Sequence, residues 1–557
     1  MATFSPTTEQ QNIIETDSSA LVIAGPGTGK TRTAIEKAKL YCARLDQFER
    51  QRVLFLSFSN ATVHRLADAA AVNFSRKERR MLRFMTYHSY AAELLRQYGR
   101  FTGLPPKVQI MDTIEQSLTL LEMSIEVADE NRLEVLDNLA KQGRLGFDVL
   151  IPLTISLLGG APKLRGIVTR YHPLVIVDEF QDTSENQWRM LQLLGSKAQV
   201  VAFGDPNQII YSSLHGASVR RFDEFLTWKG LEPSVFSRRN FRCEQTDILD
   251  FADALLSAKP YLPPAKAALK IFTLDYRKQL RSALAIIWKA IQEQGGVNPS
   301  VGIIVPSNAI ADEIAVALRS PPENSPIKIR VFARLIADGA AYDSIILALL
   351  ALRDHAATKS PASLRKCAMS LHAMDIQWNR KKKMALKCVN QLEKSVVKLL
   401  LDDKSLLSML VARLPAIIDF GAVVPEFITA VGALNELEGS CRRIASHGRL
   451  PLLRVMVGEQ PELFDSVRQS RAVRGLDGHD TGTAKTEIIT YHRAKGREFD
   501  FVLMVVDPRS ESSKSPIEEA RRLYYVCATR PKKWLGVLCY RNNLGRVLGP
   551  VLSPAGR

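Results

Sequence analysis

Leu21-Val22-Ile23-Ala24-Gly25-Pro26-Gly27-Thr28-Gly29-Lys30-Thr31 is the stretch whose reading decides the fold. An apolar run of strand character ends in a glycine-rich turn, and Lys-Thr opens a helical stretch, Arg32 to Tyr41. Strand, loop and helix in that order suit a nucleoside triphosphate. The glycines let backbone N–H groups close around the phosphates, Lys30 reaches the β- and γ-phosphates, and the Thr31 hydroxyl is placed for Mg²⁺. Ala24 stands where the general pattern has its first glycine.

Upstream, Pro6 to Gln11 precedes Ile13-Ile14 in a short helical segment. A glutamine amide there offers a donor and an acceptor to an adenine edge, although Gln at a helix start is also commonly just solvated. Downstream, Val53-Leu54-Phe55-Leu56 reads as a buried strand ending in Ser57-Phe58-Ser59-Asn60, and Phe84-Met85 leads to Thr86-Tyr87-His88-Ser89. Residues just past strand ends lie on the carboxyl edge of an α/β sheet, where ligands bind. His88 by itself reads as a hydrogen-bonded structural histidine. The all-apolar run Leu174-Val175-Ile176-Val177 is typical of a parallel strand covered on both faces. It ends in Asp178-Glu179-Phe180-Gln181-Asp182. In a chain with a phosphate loop, Asp178 is placed to hold Mg²⁺ and Glu179 to deprotonate the attacking water; the plainer reading is a solvated acidic turn.

Composition sets the frame. At 557 residues there is room for roughly three to five compact units. Lys and Arg number 75 against 58 acidic residues, a formal net charge of +17 that points to a polyanion, most commonly nucleic acid, or to a basic but inert surface. Seven scattered cysteines without a C-x-x-C pair argue for a reducing compartment and against a zinc site. The sequence offers no membrane-length apolar run and no signal peptide, so a cytoplasmic chain with no membrane partner is expected. The basic run Arg380 to Lys383 reads as a solvated helix face or a nucleic-acid contact.

Further motifs complete the set: Gly204-Asp205-Pro206-Asn207-Gln208-Ile209-Ile210-Tyr211, Asn240-Phe241-Arg242, Thr490 to Phe499 (TYHRAKGREF), and Glu518 to Arg530. The last predicts a helix with Leu523, Val526 and Cys527 at core spacing and Arg530 at its end. With TEQ, SFSN, TYH and VDEFQD, this ordered series resembles the UvrD/Rep/PcrA group of superfamily 1 helicases over nearly the whole chain.

That resemblance implies an α/β protein with two RecA-like P-loop domains built on parallel sheets, each interrupted by a mainly helical insertion. The first domain is expected over 1–103 and 166–245 with its insertion at 104–165. The second is expected over 246–353 and 483–557 with its insertion at 354–482. The cofactors implied are ATP and Mg²⁺. Gln10 and Phe241 would face the adenine and Glu498 the ribose. Ala24, Gly25, Gly27, Thr28, Gly29, Lys30, Thr31 and Arg32 would line the rest of the ATP site. Thr31 and Asp178 match the metal positions and Glu179 the base. Gln208 matches the γ-phosphate sensor, and Arg242 and Arg530 the two phosphate-facing arginines. Ser57, Phe58, Asn60, Thr86, His88, Tyr211 and His492 match positions that touch DNA.

The expected activity is that of a DNA-stimulated ATPase moving 3′ to 5′ on single-stranded and tailed duplex DNA. Two departures from the family pattern stand out, and the first favours an alternative. Tyr211 is followed by Ser212-Ser213-Leu214-His215-Gly216-Ala217, without the family's aromatic, and Ala61 stands where a lysine is common. Compactness, GDPNQ and Asn240-Phe241-Arg242-Cys243 are similar to the helicase-like B subunit of Gabija-type anti-phage systems. The alternative is therefore a DNA-sensing ATPase that regulates a partner nuclease with little unwinding of its own.

Overall fold

The computed structural model describes residues 5–552 outside 45–49, 59, 112–115, 117–118, 121–122, 124–130, 211–217, 238–239, 244, 265–267, 273–275, 294–298, 308–309, 312, 315–317, 319–333, 337–339, 379–385, 417–419, 446–485, 509–510, 512–515 and 541–542. Tyr211 to Ala217 and the basic run Arg380 to Lys383 therefore lie outside the described residues, as does the side chain of Asn60.

In chain order the strands are β1 (Ala20–Ile23), β2 (Val53–Ser57), β3 (Leu82–Thr86), β4 (Gln109–Ile110), β5 (Arg144–Leu145), β6 (Leu174–Val177), β7 (Gln199–Gly204), β8 (Ser234–Val235), β9 (Leu269–Phe272), β10 (Val301–Val305), β11 (Arg334–Ile336), β12 (Thr486–Thr490), β13 (Phe499–Val505) and β14 (Pro531–Leu538). By compactness the chain forms two units, one of residues 1–109, 140–306 and 491–557, the other of 110–139 and 307–490.

The first unit holds a parallel sheet of order β3-β2-β6-β7-β1-β8. Strands β2 and β6 are buried at every position, as their continuous apolar sequences require. Helices Lys30–Arg44 and Asn60–Asn73 bring Ala34, Ala38 and Leu66 into a core with Val22, Phe55, Ile176 and Phe203. Because β1 is inserted between β7 and β8, the loop after β1 opens beside the ends of β7 and β6. Loop ends carrying polar residues are thus gathered on one sheet edge.

The same unit contains a second run of parallel strands, β10-β13-β14-β9. Leu503, Met504, Leu535 and Val537 at its centre are fully buried. Helix Ile517–Ala528 ends two residues before Arg530. Its core face differs from the expected one: Val526 and Cys527 are buried, but Leu523 is only half-buried while Tyr524 and Tyr525 are buried. The Tyr524 hydroxyl donates to Glu511 Oε1 at 2.7 Å, and such a partner is what makes a buried tyrosine tolerable.

The second unit is mostly helical apart from the parallel pair β11 and β12. Helices Ala340–Thr358, Pro361–Trp378, Leu386–Leu401, Leu406–Arg413 and Phe420–Val431 enclose a core that includes Leu349, Leu371, Val396, Leu410 and Phe427. Inside it the Ser440 hydroxyl donates to Asp375 Oδ1 at 2.6 Å. Among the described residues no single helix is long and apolar enough to cross a membrane.

Candidate nucleotide site

The loop after β1 is held by its own backbone. Ala24 N–H donates to the Gly204 carbonyl, and the Thr28 hydroxyl donates to the Gly25 carbonyl. Gly27 and Gly29 take left-handed φ values of 74° and 89°, a region where a side chain is strained. Lys30 Nζ donates back to the carbonyls of Ala24 (2.6 Å) and Gly25 (2.9 Å). Burial lowers the Lys30 pKa, opposed by the charges of Asp205, Glu179 and Asp178. The positive end of the lysine is therefore already inside the loop.

Gln10 and Phe241 both approach Gly29: a Cβ there would meet Gln10 Nε2 at 2.7 Å and Phe241 Cδ2 at 3.9 Å. Gln10 Nε2 donates to the Thr28 carbonyl, while its Oε1 accepts from Thr7 N–H in a capping box. Each end of that amide keeps one further hydrogen-bonding capacity. Phe241 is 47% exposed, and its N–H donates to the Gly27 carbonyl. Asn240 fastens this segment, with Nδ2 donating to the Pro26 carbonyl (3.1 Å) and Oδ1 accepting from Arg242 and Cys243 N–H. Arg32 is turned to Asn73 and Glu36.

Asp178 and Glu179 follow β6 and are buried. Glu179 takes φ 55°, ψ 44°, a left-handed conformation that costs a non-glycine residue about 1–3 kcal/mol and marks functional positions. Burial alone would push its carboxyl up. Lys495, Lys30, Arg65 and the Gln181 hydrogen bond outweigh burial and hold it well below the usual range. Asp178 goes the other way, raised by burial and by the Glu179 charge beside it. Asp178 Oδ2 pairs with Arg65 Nη2 at 3.2 Å. The Thr31 hydroxyl and the Asp178 carboxylate are hard oxygen donors of the kind Mg²⁺ takes, so the residues present fit that ion.

The second run of strands brings in Lys495, Glu498 and Arg530, which meet Arg242 and Gln208 of the first sheet. Arg530 is 2% exposed; Nε donates to the Val526 carbonyl (2.7 Å) and Nη2 to Thr529 Oγ1 (2.9 Å) and Gln208 Oε1 (3.3 Å). Burial, then the Arg242 charge, lower its pKa to about 10. Arg242 pairs with Glu498 Oε1 at 2.6 Å and donates to the Thr529 carbonyl. Lys495 Nζ reaches Asp182 and the Gln208 carbonyl at 2.7 Å. Lys30, Glu179, Gln208, Arg242, Glu498 and Arg530 are thus brought together from the flanks of six separate strands, β1, β6, β7, β8, β13 and β14.

Four residues of this cluster carried no role in the sequence reading: Arg65, Gln181, Asn240 and Lys495. Three of them lie inside quoted motifs. Their partners are what give them meaning, and those partners are far away in sequence.

The positions matched to DNA contacts are spread along β2, β3 and beyond. Ser57 and Thr86 face each other in register and are both buried, Thr86 capping the helix Tyr87–Tyr98. As the side chains stand, neither is presented at the surface. The His88 ring stacks on Phe147 with centroids 3.9 Å apart. Phe58 and His492 are half-buried.

Fold and site together define a RecA-like P-loop protein. Residues 9–214 match the family described as AAA domain, and residues 462–542 match the UvrD-like helicase C-terminal domain. The chain is 26% identical over 293 residues to ATP-dependent DNA helicase PcrA of Leuconostoc citreum, covering 45% of this chain and 39% of that protein. It is 23% identical over 244 residues to ATP-dependent DNA helicase Rep of Escherichia coli (strain K12), covering 37% and 36%. It is 23% identical over 289 residues to a probable DNA helicase II homolog of Mycoplasma capricolum, covering 44% and 40%. Together these matches support a UvrD-like superfamily 1 helicase. Its matches span about two fifths of the length of those relatives.

Proposed function

We propose that this chain is an ATP-dependent translocase and helicase that moves 3′ to 5′ on single-stranded DNA in a cytoplasmic setting. ATP hydrolysis takes place between two RecA-like domains, 1–245 and 246–557, interrupted at 104–165 and 354–482. The observation that carries the reading is Arg530 donating to Gln208, a guanidinium from one strand layer meeting a residue that follows the other.

In this reading the phosphates replace the carbonyls that Lys30 now holds, Gln10 and Phe241 take the adenine, and Glu498 the ribose. Glu179 accepts the proton of the attacking water, and its depressed pKa keeps it ionised for the task. Arg242 and Arg530 neutralise the transferring phosphoryl group, an arginine so placed contributing about 10³–10⁵ in rate, and Gln208 senses the γ-phosphate. Mg²⁺, held by Thr31 and Asp178, would supply further charge neutralisation on the phosphates. DNA would run along the sheet edge past Phe58, His88 and His492, with Ser57 and Thr86 supporting from beneath, and the resemblance assigns Asn60 and Tyr211 to it as well. Lys30→Ala and Glu179→Gln should abolish DNA-stimulated ATPase and displacement of a strand from a 3′-tailed duplex; wild-type turnover in either would sink the assignment.

The segment after Tyr211, which lacks the expected aromatic, supports a second reading: a DNA-sensing ATPase that signals to a partner nuclease, as in anti-phage defence. Robust unwinding by the isolated chain removes it.

A further inference from the structure

Gln181 is fully buried between the two acidic loop ends, and both ends of its amide are used. Nε2 donates to Glu179 Oε2 at 2.6 Å, and Oε1 accepts from Asp205 N–H at 3.0 Å. A carboxylate can only accept and a backbone N–H can only donate, so the amide has a single orientation. From Asp205 the chain of bonds goes on. Gln208 Nε2 donates to Asp205 Oδ2 at 2.8 Å, and Arg530 Nη2 donates to Gln208 Oε1 at 3.3 Å. Room for the amide exists because residue 204 is glycine; a Cβ there would meet Gln181 Oε1 at 3.1 Å and the Phe222 ring at 2.9 Å.

We propose that Gln181 is a positioning residue of the hydrolytic site. It pins one oxygen of the Glu179 carboxylate and ties it, through Asp205 and Gln208, to Arg530, so that base and far arginine are set in place together. The inference rests on the ATPase reading above, in which Glu179 is the base. Glu179 needs such a tether more than an ordinary carboxylate does. Its backbone is left-handed, a conformation that a non-glycine residue keeps only when the contacts around it hold it in place. In the low-dielectric surroundings of a buried site, bonds in such a chain reinforce one another. A lost link therefore reaches the far end.

The test uses the full chain with DNA-stimulated ATP turnover, nucleotide affinity and pH–rate profiles. Gln181→Ala should lower kcat by about 10²-fold while leaving KM for ATP within about threefold, because a mispointed base harms proton transfer and not binding. Gln181→Glu keeps the acceptor for Asp205 N–H but sets a second carboxylate against Glu179. It should be inactive at neutral pH and recover as pH falls and the new carboxyl gains a proton to donate. Arg530→Lys should cost less in the Gln181→Ala background than in the wild type, since the two act along one chain. Should Gln181→Ala not fold, Gln181→Met keeps the volume and takes its place. Wild-type kcat and pH profile in Gln181→Ala and Gln181→Glu, alongside an inactive Glu179→Gln, would overturn the proposal and leave the ATPase reading intact. A fully active Glu179→Gln would remove the ATPase reading first, and this proposal with it.

Discussion

Lys495 Nζ lies 2.6 Å from Asp182 Oδ2, and the two side chains are 6% and 3% exposed. Burying two charges is costly, and only close pairing with further hydrogen bonds makes it tolerable; here the Gln208 carbonyl supplies one. Removing one partner leaves the other stranded. Lys495→Met should therefore destabilise the fold by about 3–5 kcal/mol in urea titration, and Asp182→Asn in the same chain should recover most of that loss. An unchanged unfolding midpoint in Lys495→Met would contradict this.

Stability should respond to acid through two buried groups of opposite sign. Burial lowers the His172 pKa to about 4, so between about pH 4 and 6.5 the unfolded chain binds the extra proton and stability falls as pH drops through that window. Burial raises the Asp182 carboxyl to about 6, against the pull of Lys495. Between about pH 4 and 6 it is the folded chain that binds more protons, so this group loses stability as pH rises. Each effect is on the order of 3 kcal/mol at full extent. His172→Phe should leave unfolding free energy less sensitive to acid, and Asp182→Asn more so, measured at pH 5 against pH 7.

Arg530→Ala should reduce ATP turnover by about 10³-fold or more while nucleotide affinity changes far less, since its charge is needed where charge develops on the phosphoryl group. Single-turnover hydrolysis beside equilibrium binding of a fluorescent ATP analogue separates the two. Equal losses in both would make Arg530 a binding residue only.

Gly27→Ala should weaken nucleotide binding at least tenfold. Its Cβ would fall on the Asn240 amide, and φ 74° is strained for alanine by about 1–2 kcal/mol. Asn240→Ala in that background should return part of the binding by clearing the clash. If the double variant binds no better than Gly27→Ala, strain alone accounts for the loss.

Binding to single-stranded DNA should weaken steeply with salt, the log–log slope being about −0.7 per phosphate contact. A chain of net charge +17 that showed no slope would not be holding a phosphate backbone.

The parts of this molecule that could be read from sequence are those whose cause is local. Leu174 to Val177 reads as a strand buried on both faces and is one, and Gly27 and Gly29 announce a turn no other residue makes easily. What could not be read depends on partners brought in by the fold. Lys495 meets Asp182 across 313 residues, and neither residue type hints at the other. The helix Ile517–Ala528 shows a subtler limit. Leucine was the natural candidate for the core at 523, yet adjacent tyrosines are buried because Glu511, outside the helix, accepts from one of them. Ser57 is the reverse case, a polar residue matched to a surface role and found 1% exposed.

Asn240 and Pro26 are joined across 214 residues by a single side-chain amide, which also organises the backbone at Arg242 and Cys243. For anyone building chimaeras, this makes the two stretches a single inheritable module despite their distance along the gene. A crossover that takes one parent's phosphate loop with the other's 240–243 segment would need matched partners on both sides, however similar the parents look elsewhere.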